Sequence, residues 1–234
     1  MQLFYNSDIK QGATTFFFDK EESKHIVKVL RKKESDIIFI TNGLGFIFES
    51  EIILASEKKC EVKITKETFQ EPDKFYTHIA VAPTKMNDRL EWFLEKSTEI
   101  GIHEITPIIC DHSERKVYKI DRAEKIIQAA MKQSLHYYIP KINEPISFSQ
   151  FVKSNIGGQK FIAHCEETDK KSFKNEVKND EKVTILIGPE GDFSTKEINL
   201  AIENGFIPVT LGNTRLRTET AALVACHTIA LINE

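Results

Sequence analysis

Two regimes of hydrophobic patterning follow one another along the chain. Up to about residue 70 the apolar positions come as short runs or strict alternation. The stretches 14–18, 36–40 and 46–54 are compact apolar runs, and from Lys59 to Thr65 the residues Cys60, Val62 and Ile64 share one side of a strand while Lys59, Glu61, Lys63 and Thr65 take the other. Asn42-Gly43, residues suited to positive φ, predicts a hairpin turn before the third run. A small barrel or curled sheet accommodates these strands. One helix interrupts them: Asp19 with Glu22 has the form of a capping box, and Ile26, Val29 and Leu30 give an apolar stripe.

The stretch 67–76 (ETFQEPDKFY) breaks this periodicity, carries Pro72, and reads as a linker. Beyond it, strand-type runs at 78–82, 105–109, 160–164, 183–187 and 207–211 alternate with helical segments, which predicts a parallel sheet covered on both faces. The first of those helices opens near Asp88 and Glu91, turns Leu90, Phe93, Leu94 and Ile100 inward, and ends at Gly101; a second spans 121–135. The charged stretch 173–182 predicts a surface helix or loop without chemistry. The final segment, Ala221 to Ile232, is apolar on nearly all sides and predicts a deeply buried helix.

Totals narrow the class. With 234 residues and 41% hydrophobic content the chain can bury a sizeable core. Its longest apolar stretch is shorter than the ~20 residues of a membrane span, and no secretory pattern opens it, so a cytoplasmic protein without membrane attachment is expected. Cys60, Cys110, Cys165 and Cys226 are scattered without a Cys-x-x-Cys pair and the seven histidines are dispersed, so no metal site is expected and the thiols should be reduced. A formal charge of −3 argues against a wholly basic nucleic-acid binder, which leaves local clusters to decide. Lys24, Lys28, Arg31 and Lys32 form one such cluster on the first helix, open to two readings: phosphate contacts or a solvated face.

Two loops near the C-terminus carry the chemistry. Each follows a strand-type run, 184–187 or 208–211, and turns at a glycine before a helix, where open α/β sheets bind ligands. Neither is a P-loop or a dinucleotide fingerprint. Gly188-Pro189-Glu190-Gly191 reads as a rigid turn that passes close to a flat ligand or as an ordinary strand-to-helix connection, and Ser194 with Glu197 caps the helix that follows. In Leu216-Arg217-Thr218-Glu219-Thr220-Ala221-Ala222 a threonine, 218 or 220, suits an N-cap, and Glu219 suits the positive end of the helix dipole. Capping does not account for Arg217.

These two loops together resemble the 16S ribosomal RNA (uracil-N3) methyltransferase family, also called ribosomal RNA small subunit methyltransferase E, of the SPOUT class. The resemblance covers essentially the whole chain: Lys85, Arg89, Glu91, Lys96, Glu99 and Gly101 fit its first helix, Ser113-Glu114-Arg115 the next loop, and Ala129-Ala130 with Gln133-Ser134 its second helix. It implies an α/β fold with an N-terminal PUA-like β-barrel at 1–70 and a SPOUT α/β domain at 74–234 closed by a C-terminal trefoil knot, a rarity among folds. It implies S-adenosyl-L-methionine as cofactor, held by Leu186, Gly188, Pro189, Glu190, Gly191, Leu211, Gly212, Leu216 and Thr218, and a homodimer formed through the C-terminal helix.

The implied activity is methylation of N3 of a uridine in 16S rRNA of the small ribosomal subunit. Such a reaction needs loss of an imide proton, with Arg217 stabilising the uracil anion and Glu219 or Glu99 taking the proton. Lys24, Arg31, Lys32, Lys85, Arg89, Arg115 and Gln133 would hold the RNA. Asp192 stands where a second glycine is common, and Lys132 and His136 where glutamate and arginine are. The rival expectations are a SPOUT enzyme acting on tRNA and a non-catalytic ribosome-assembly protein that binds RNA.

Overall fold

The computed structural model describes every residue of the chain except Thr168. Two compact units emerge: Met1–Pro72 with Met131–Ile139, and Asp73–Ala130 with Pro140–Glu234.

The first unit contains β1 (Leu3–Tyr5), β2 (Thr15–Phe17), α1 (Lys20–Lys24), β3 (Ile37–Thr41), β4 (Phe46–Leu54) and β5 (Glu61–Phe69), with the sheet order β1-β3-β4-β5-β2. The β1–β3 pair is parallel and the others antiparallel, so the sheet is mixed and β1 and β2 are its edges. The expected alternation on β5 holds, with Cys60 and Val62 fully buried and Ile64 packed beside them. Phe4, Ile26, Ile38, Ile40, Phe48 and Ile52 complete the core, each burial contributing roughly 1.5–3 kcal/mol. The segment Met131–Ile139 belongs here because β3 and its turn hold it: Thr41 Oγ1 donates to Tyr137 O at 3.2 Å and Ile139 N–H to Gly43 O at 3.0 Å. Gly45, at φ 88°, must be glycine, since a Cβ there would overlap the Tyr138 hydroxyl.

The helix in this unit departs from the expected stripe. Asp19 caps it by accepting from Glu22 N–H at 2.8 Å, but the Glu22 carboxylate turns to His25 Nδ1 at 3.0 Å instead of closing a capping box. A π-helical turn, His25–Val29, then widens the spiral, with Leu30 N–H bonding His25 O. The extra residue per turn rotates Val29 outward to 65% exposure, and Val27 takes its place beside Ile26 and Leu30. Arg31 falls past the helix end at φ 54°, so it is not on the basic face the 3.6-residue period predicts.

The second unit contains β6 (Tyr76–Val81), α2 (Asn87–Ile100), β7 (Glu104–Ile109), the greater part of α3 (Asp121–Ser134), β8 (Lys141–Ile142), β9 (Ile146–Ser147), α4 (Phe148–Val152), β10 (Gln159–Ala163), β11 (Lys171–Ser172), α5 (Phe173–Glu176), β12 (Lys182–Ile187), α6 (Thr195–Glu203), β13 (Ile207–Thr210) and α7 (Thr218–Ile232). The strand order is β11-β13-β10-β12-β6-β7-β8 with β9 beside β7, and every pairing is parallel. Ala80, Ile162 and Leu186, adjacent in register, face Phe151 of α4 and Ile198 and Ala201 of α6. On the other face α7 packs against β6, β12 and α2. Both faces are therefore covered, as the alternation predicts. α2 ends at Gly101 (φ 102°), as expected, but begins one residue before Asp88 with Met86 at the cap. α7 is less buried than its composition predicts: Ala222, Ala225, Cys226 and Ile229 are inside, whereas Leu231 is 58% exposed. No helix among the described residues is long and apolar enough to cross a membrane.

Candidate functional site

The C-terminal ends of three strands meet at one edge of the parallel sheet. Ala163 of β10 is paired with Ile187 of β12 on one side and with Val209 of β13 on the other. The loops leaving these strands surround a cavity of about 330 Å³ whose lining includes Gly188, Pro189 and Glu190 of the first loop, Leu216 and Arg217 of the second, and Cys165 after β10. A smaller cavity of about 90 Å³ is lined by Leu211, Gly212 and His164 and shares Ala163, Cys165, Arg215, Leu216 and Ala221 with the larger one. An apolar lining with a few polar groups at a strand-end crevice is the usual form of a ligand site.

The first loop is shaped by its own packing. A Cβ on Gly188 would lie 3.1 Å from the buried Phe193 ring, so glycine there is required by the core beneath the loop. Gly191 lies under His112, whose Nδ1 is 3.1 Å from both the Gly191 and Asp192 carbonyls. The Glu190 carboxylate accepts from Lys85 N–H at 2.9 Å, which ties the loop to the segment before α2. Ser194 and Glu197 form the expected capping box, and the buried Glu197 also accepts from Asp111 N–H at 3.0 Å.

The second loop is bound to the first through α7. Thr218 is not an N-cap, and neither is Thr220; Arg217 occupies that position with extended backbone. Freed from capping, the buried Thr218 hydroxyl donates to Gly188 O at 3.0 Å. Arg215 and Arg217, both exposed, line the larger cavity.

Of the other predicted residues, Leu186 is buried in the core between the sheet and α6, and its neighbour Ile187 lines the cavity instead. Glu219 stands in the first turn of α7 with its side chain 9% exposed, facing Arg89 Nε at 3.9 Å, and its Oε2 has no hydrogen-bond partner. It does not line either cavity. Glu99 is in the last turn of α2, ion-paired with Lys96 at 2.9 Å. Ten residues along a helix from Arg89, it is about 15 Å removed from the end that meets Glu219. The structure thus does not bring Glu99 to the site. Lys85 is paired with Glu114 at 2.8 Å, and Arg115 donates to Lys85 O at 2.9 Å and to Asn87 Oδ1, so both help frame the segment that meets Glu190. Lys24, Arg31, Lys32 and Gln133 belong to the first unit, where Lys24, Arg31 and Gln133 are exposed.

Ala163, His164, Cys165 and Arg215 line the cavities although no motif marks them. The strand-end rule, extended to the 160–164 run, selects the first three. Burial, then the charge of Asp192, pushes the Cys165 thiol up, so it is a protonated lining group. Burial, reinforced by Lys170, pushes the His164 imidazole down and keeps it neutral.

The class of protein follows from the chain's match to two family models: residues 71–230, which hold the parallel sheet, match the RNA methyltransferase domain, and 18–65, in the mixed sheet, the RNA methyltransferase PUA domain. Within that class the chain belongs to the ribosomal RNA small subunit methyltransferase E family. Its member from Buchnera aphidicola subsp. Acyrthosiphon pisum is 34% identical over 90% of this chain and 85% of its own. A structure described as a probable rRNA-methyltransferase from Porphyromonas gingivalis superposes with a TM-score of 0.92 at 39% identity, covering 100% of this chain and 98% of the other. A protein from Legionella pneumophila solved with the cofactor SAM bound gives 0.88 at 28% identity, covering 99% and 97%.

Proposed function

We propose that this protein transfers a methyl group from S-adenosylmethionine to N3 of a uridine in 16S rRNA of the small ribosomal subunit. The observation that carries this reading is the cavity of about 330 Å³ at the ends of β10 and β12, built from the two loops that resemble the family. The residues present fit the cofactor: the cavity is largely apolar, and Arg215 at its edge suits a carboxylate.

Gly188, Pro189, Glu190, Leu211, Gly212, Leu216 and Thr218 would hold the cofactor, with Leu186 and Gly191 supporting from beneath and behind the loop. Bound there, S-adenosylmethionine supplies an activated methyl group. Arg217, at the mouth, stabilises the negative charge that a uracil acquires as its N3 proton leaves. Glu219 acts through Arg89, holding that guanidinium at the end of α2 where it meets a phosphate or the base. Glu99 has no part in this arrangement. N3 lies on the Watson–Crick edge, so the uridine must be unpaired when it enters.

We further infer that residues 1–70 act as a PUA-like RNA-binding domain, with Lys24, Arg31 and Lys32 on phosphates, and that 74–234 form a SPOUT domain. In it the stretches 186–191 and 211–218 make a trefoil knot. The Thr218 to Gly188 hydrogen bond and the seating of α7 on β6 and β12 support that topology. The half-exposed apolar side of α7, with Leu231, supports a homodimer through this helix. We infer a cytoplasmic location from the proposed rRNA substrate.

The test is mass-spectrometric nucleoside mapping of 16S rRNA from cells with and without the gene, followed by methylation of the deficient subunits with purified protein. One N3-methyluridine should vanish on deletion and return with wild-type protein but not with Arg217→Ala. An unchanged rRNA profile overturns the proposal.

A further inference from the structure

A cavity of about 280 Å³ opens near the N-terminal ends of the strands of the parallel sheet, entirely within the second unit. The strand register builds its wall: His78, Glu104 and Lys141 are successive partners across β6, β7 and β8, and all three line it. His78 is also paired with Thr184, four residues before Gly188, which sets this cavity about 13 Å of strand away from the first loop. Phe151, Ile146 and Ile156 supply an apolar side. No step of the proposed methyl transfer uses these residues.

The buried part of the wall is already satisfied. Glu104 accepts from the Tyr76 hydroxyl at 3.2 Å through Oε2, and from Asn143 Nδ2 at 2.8 Å and Lys141 Nζ at 3.2 Å through Oε1. His78 Nε2 meets Thr106 Oγ1 at 2.8 Å, while its Nδ1 lies 3.6 Å from Glu104 Oε2. Thr106, His78 and Glu104 thus stand in the order of nucleophile, base and acid. Burial, offset in part by Glu104 and reinforced by Lys182 and Lys141, lowers the His78 pKa to about 4, so the imidazole is a poor base at neutral pH and the line serves as a wall rather than a hydrolytic triad.

What remains open to a ligand is mostly cationic or polar. The exposed Lys182 lies 4.9 Å from the Tyr76 ring and has no carboxylate partner among the described residues. Lys141 has further N–H groups beyond the one given to Glu104, and the exposed Asn155 adds an amide. Glu144, at the exposed rim, is the opposing charge. No arginine is among the described lining residues, and lysines acting as point charges suit a phosphate better than a planar carboxylate. We propose that this cavity is a second ligand site, which takes a small phosphate ester with its phosphoryl group on Lys182 and Lys141 and a flat or apolar body against Phe151, Ile146 and Ile156.

The experiment is isothermal titration of the whole protein with phenyl phosphate, inorganic phosphate and benzoate. Phenyl phosphate should bind with a Kd below about 1 mM, and the other two at least about fivefold more weakly. It should shift the side-chain amide resonances of Asn143 and Asn155 and leave the backbone amides of Gly188 and Gly191 in place. Lys182→Ala and Lys141→Ala should each weaken it about fivefold, and Lys196→Ala, which removes an exposed lysine of α6, should not. Lys141 also holds a buried carboxylate, so Lys182→Ala, which leaves Glu104 paired, decides between lost binding and disturbed folding. Displacement of phenyl phosphate by a 5′-phosphorylated oligoribonucleotide identifies an RNA end as the source of the phosphate; phenyl phosphate left in place identifies a free small molecule. Absence of saturable binding, equal binding by wild type and Lys182→Ala, or shifts confined to Gly188 and Gly191 overturns the site. Benzoate binding as tightly as phenyl phosphate overturns its assignment to phosphate.

Discussion

Replacing Thr218 by valine keeps the shape of the side chain and deletes one hydroxyl, which makes it a direct probe of how the two loops are held. Thr218 is 6% exposed and its Oγ1 donates to Gly188 O at 3.0 Å across thirty residues of chain. Valine leaves that buried carbonyl without this donor, and an unsatisfied buried group costs about 1–3 kcal/mol. Taking ~2 kcal/mol, and about 2–4 °C per kcal/mol for a domain of this size, the melting temperature should fall by ~4–8 °C. The same bond joins the two loops proposed to hold the cofactor. If its loss leaves the bound arrangement populated about one fifth of the time, the Kd for S-adenosylmethionine rises about fivefold. Thr218→Ser retains the donor and loses one methyl, so it should stay within ~1 kcal/mol of wild type. Scanning calorimetry and isothermal titration of the three proteins supply both numbers. A valine variant that melts within about 1 °C of wild type and binds the cofactor equally well would refute the claim that this hydroxyl joins the loops.

Three further outcomes follow from the same geometry. Gly188→Ala should lower stability by ~1–3 kcal/mol in urea unfolding, because its Cβ lies 3.1 Å from the Phe193 ring in a core that has little room to yield. Arg217→Lys should bind S-adenosylmethionine within about threefold of wild type in a calorimetric titration yet lose most of its methyl transfer, since a point charge does not replace a planar guanidinium. A parallel loss of binding and turnover would instead place Arg217 on the cofactor alone. Burial, offset in part by Glu104, lowers the pKa of His78 from 6.5 to about 4. This imidazole therefore contributes stability that is complete above pH 6.5 and drains away as pH falls toward 4, when the unfolded chain takes up the proton first. The gap corresponds to on the order of 3 kcal/mol, so urea midpoints between pH 7 and 4 should drop less steeply for His78→Gln than for wild type.

The sheet of the second unit was readable because buried parallel strands give short apolar runs separated by helical periods, and every such run between 78 and 211 became a strand. The paired loops were readable because glycines, a capping box and an out-of-place arginine are local signals. What escaped depends on contacts distant in sequence or on irregular backbone. A period of 3.6 cannot show a π-helical turn, so Val29 was assigned inward and stands at 65% exposure. The segment Met131–Ile139 joins the first unit through Tyr137, Tyr138 and Ile139 meeting the turn at Gly43 and Gly45, a tertiary fit that no window of sequence contains. Thr218 has the composition of a cap but spends its hydroxyl on Gly188. Glu99 is separated from the loops by the length of α2, which a list of matching residues does not reveal.

Asp192 occupies a position where the backbone limits the choice of side chain. Its φ of 63° lies in the left-handed region, where glycine is unstrained and aspartate is among the few side chains that are tolerated. A glycine there would relieve the backbone and supply nothing else. The aspartate accepts from its own Phe193 N–H at 2.9 Å through Oδ1 and from Cys165 N–H at 2.7 Å through Oδ2. The first contact stabilises the turn that places Phe193 under Gly188; the second links that turn to the end of β10, one residue from His164. Glycine at this position would keep the turn but release the β10 end, whereas the aspartate cross-links the loop to that strand. The strain of one left-handed residue is thereby offset by two charge-assisted hydrogen bonds, and the rigidity they add falls on the wall of the cavity that Asp192 and Cys165 share.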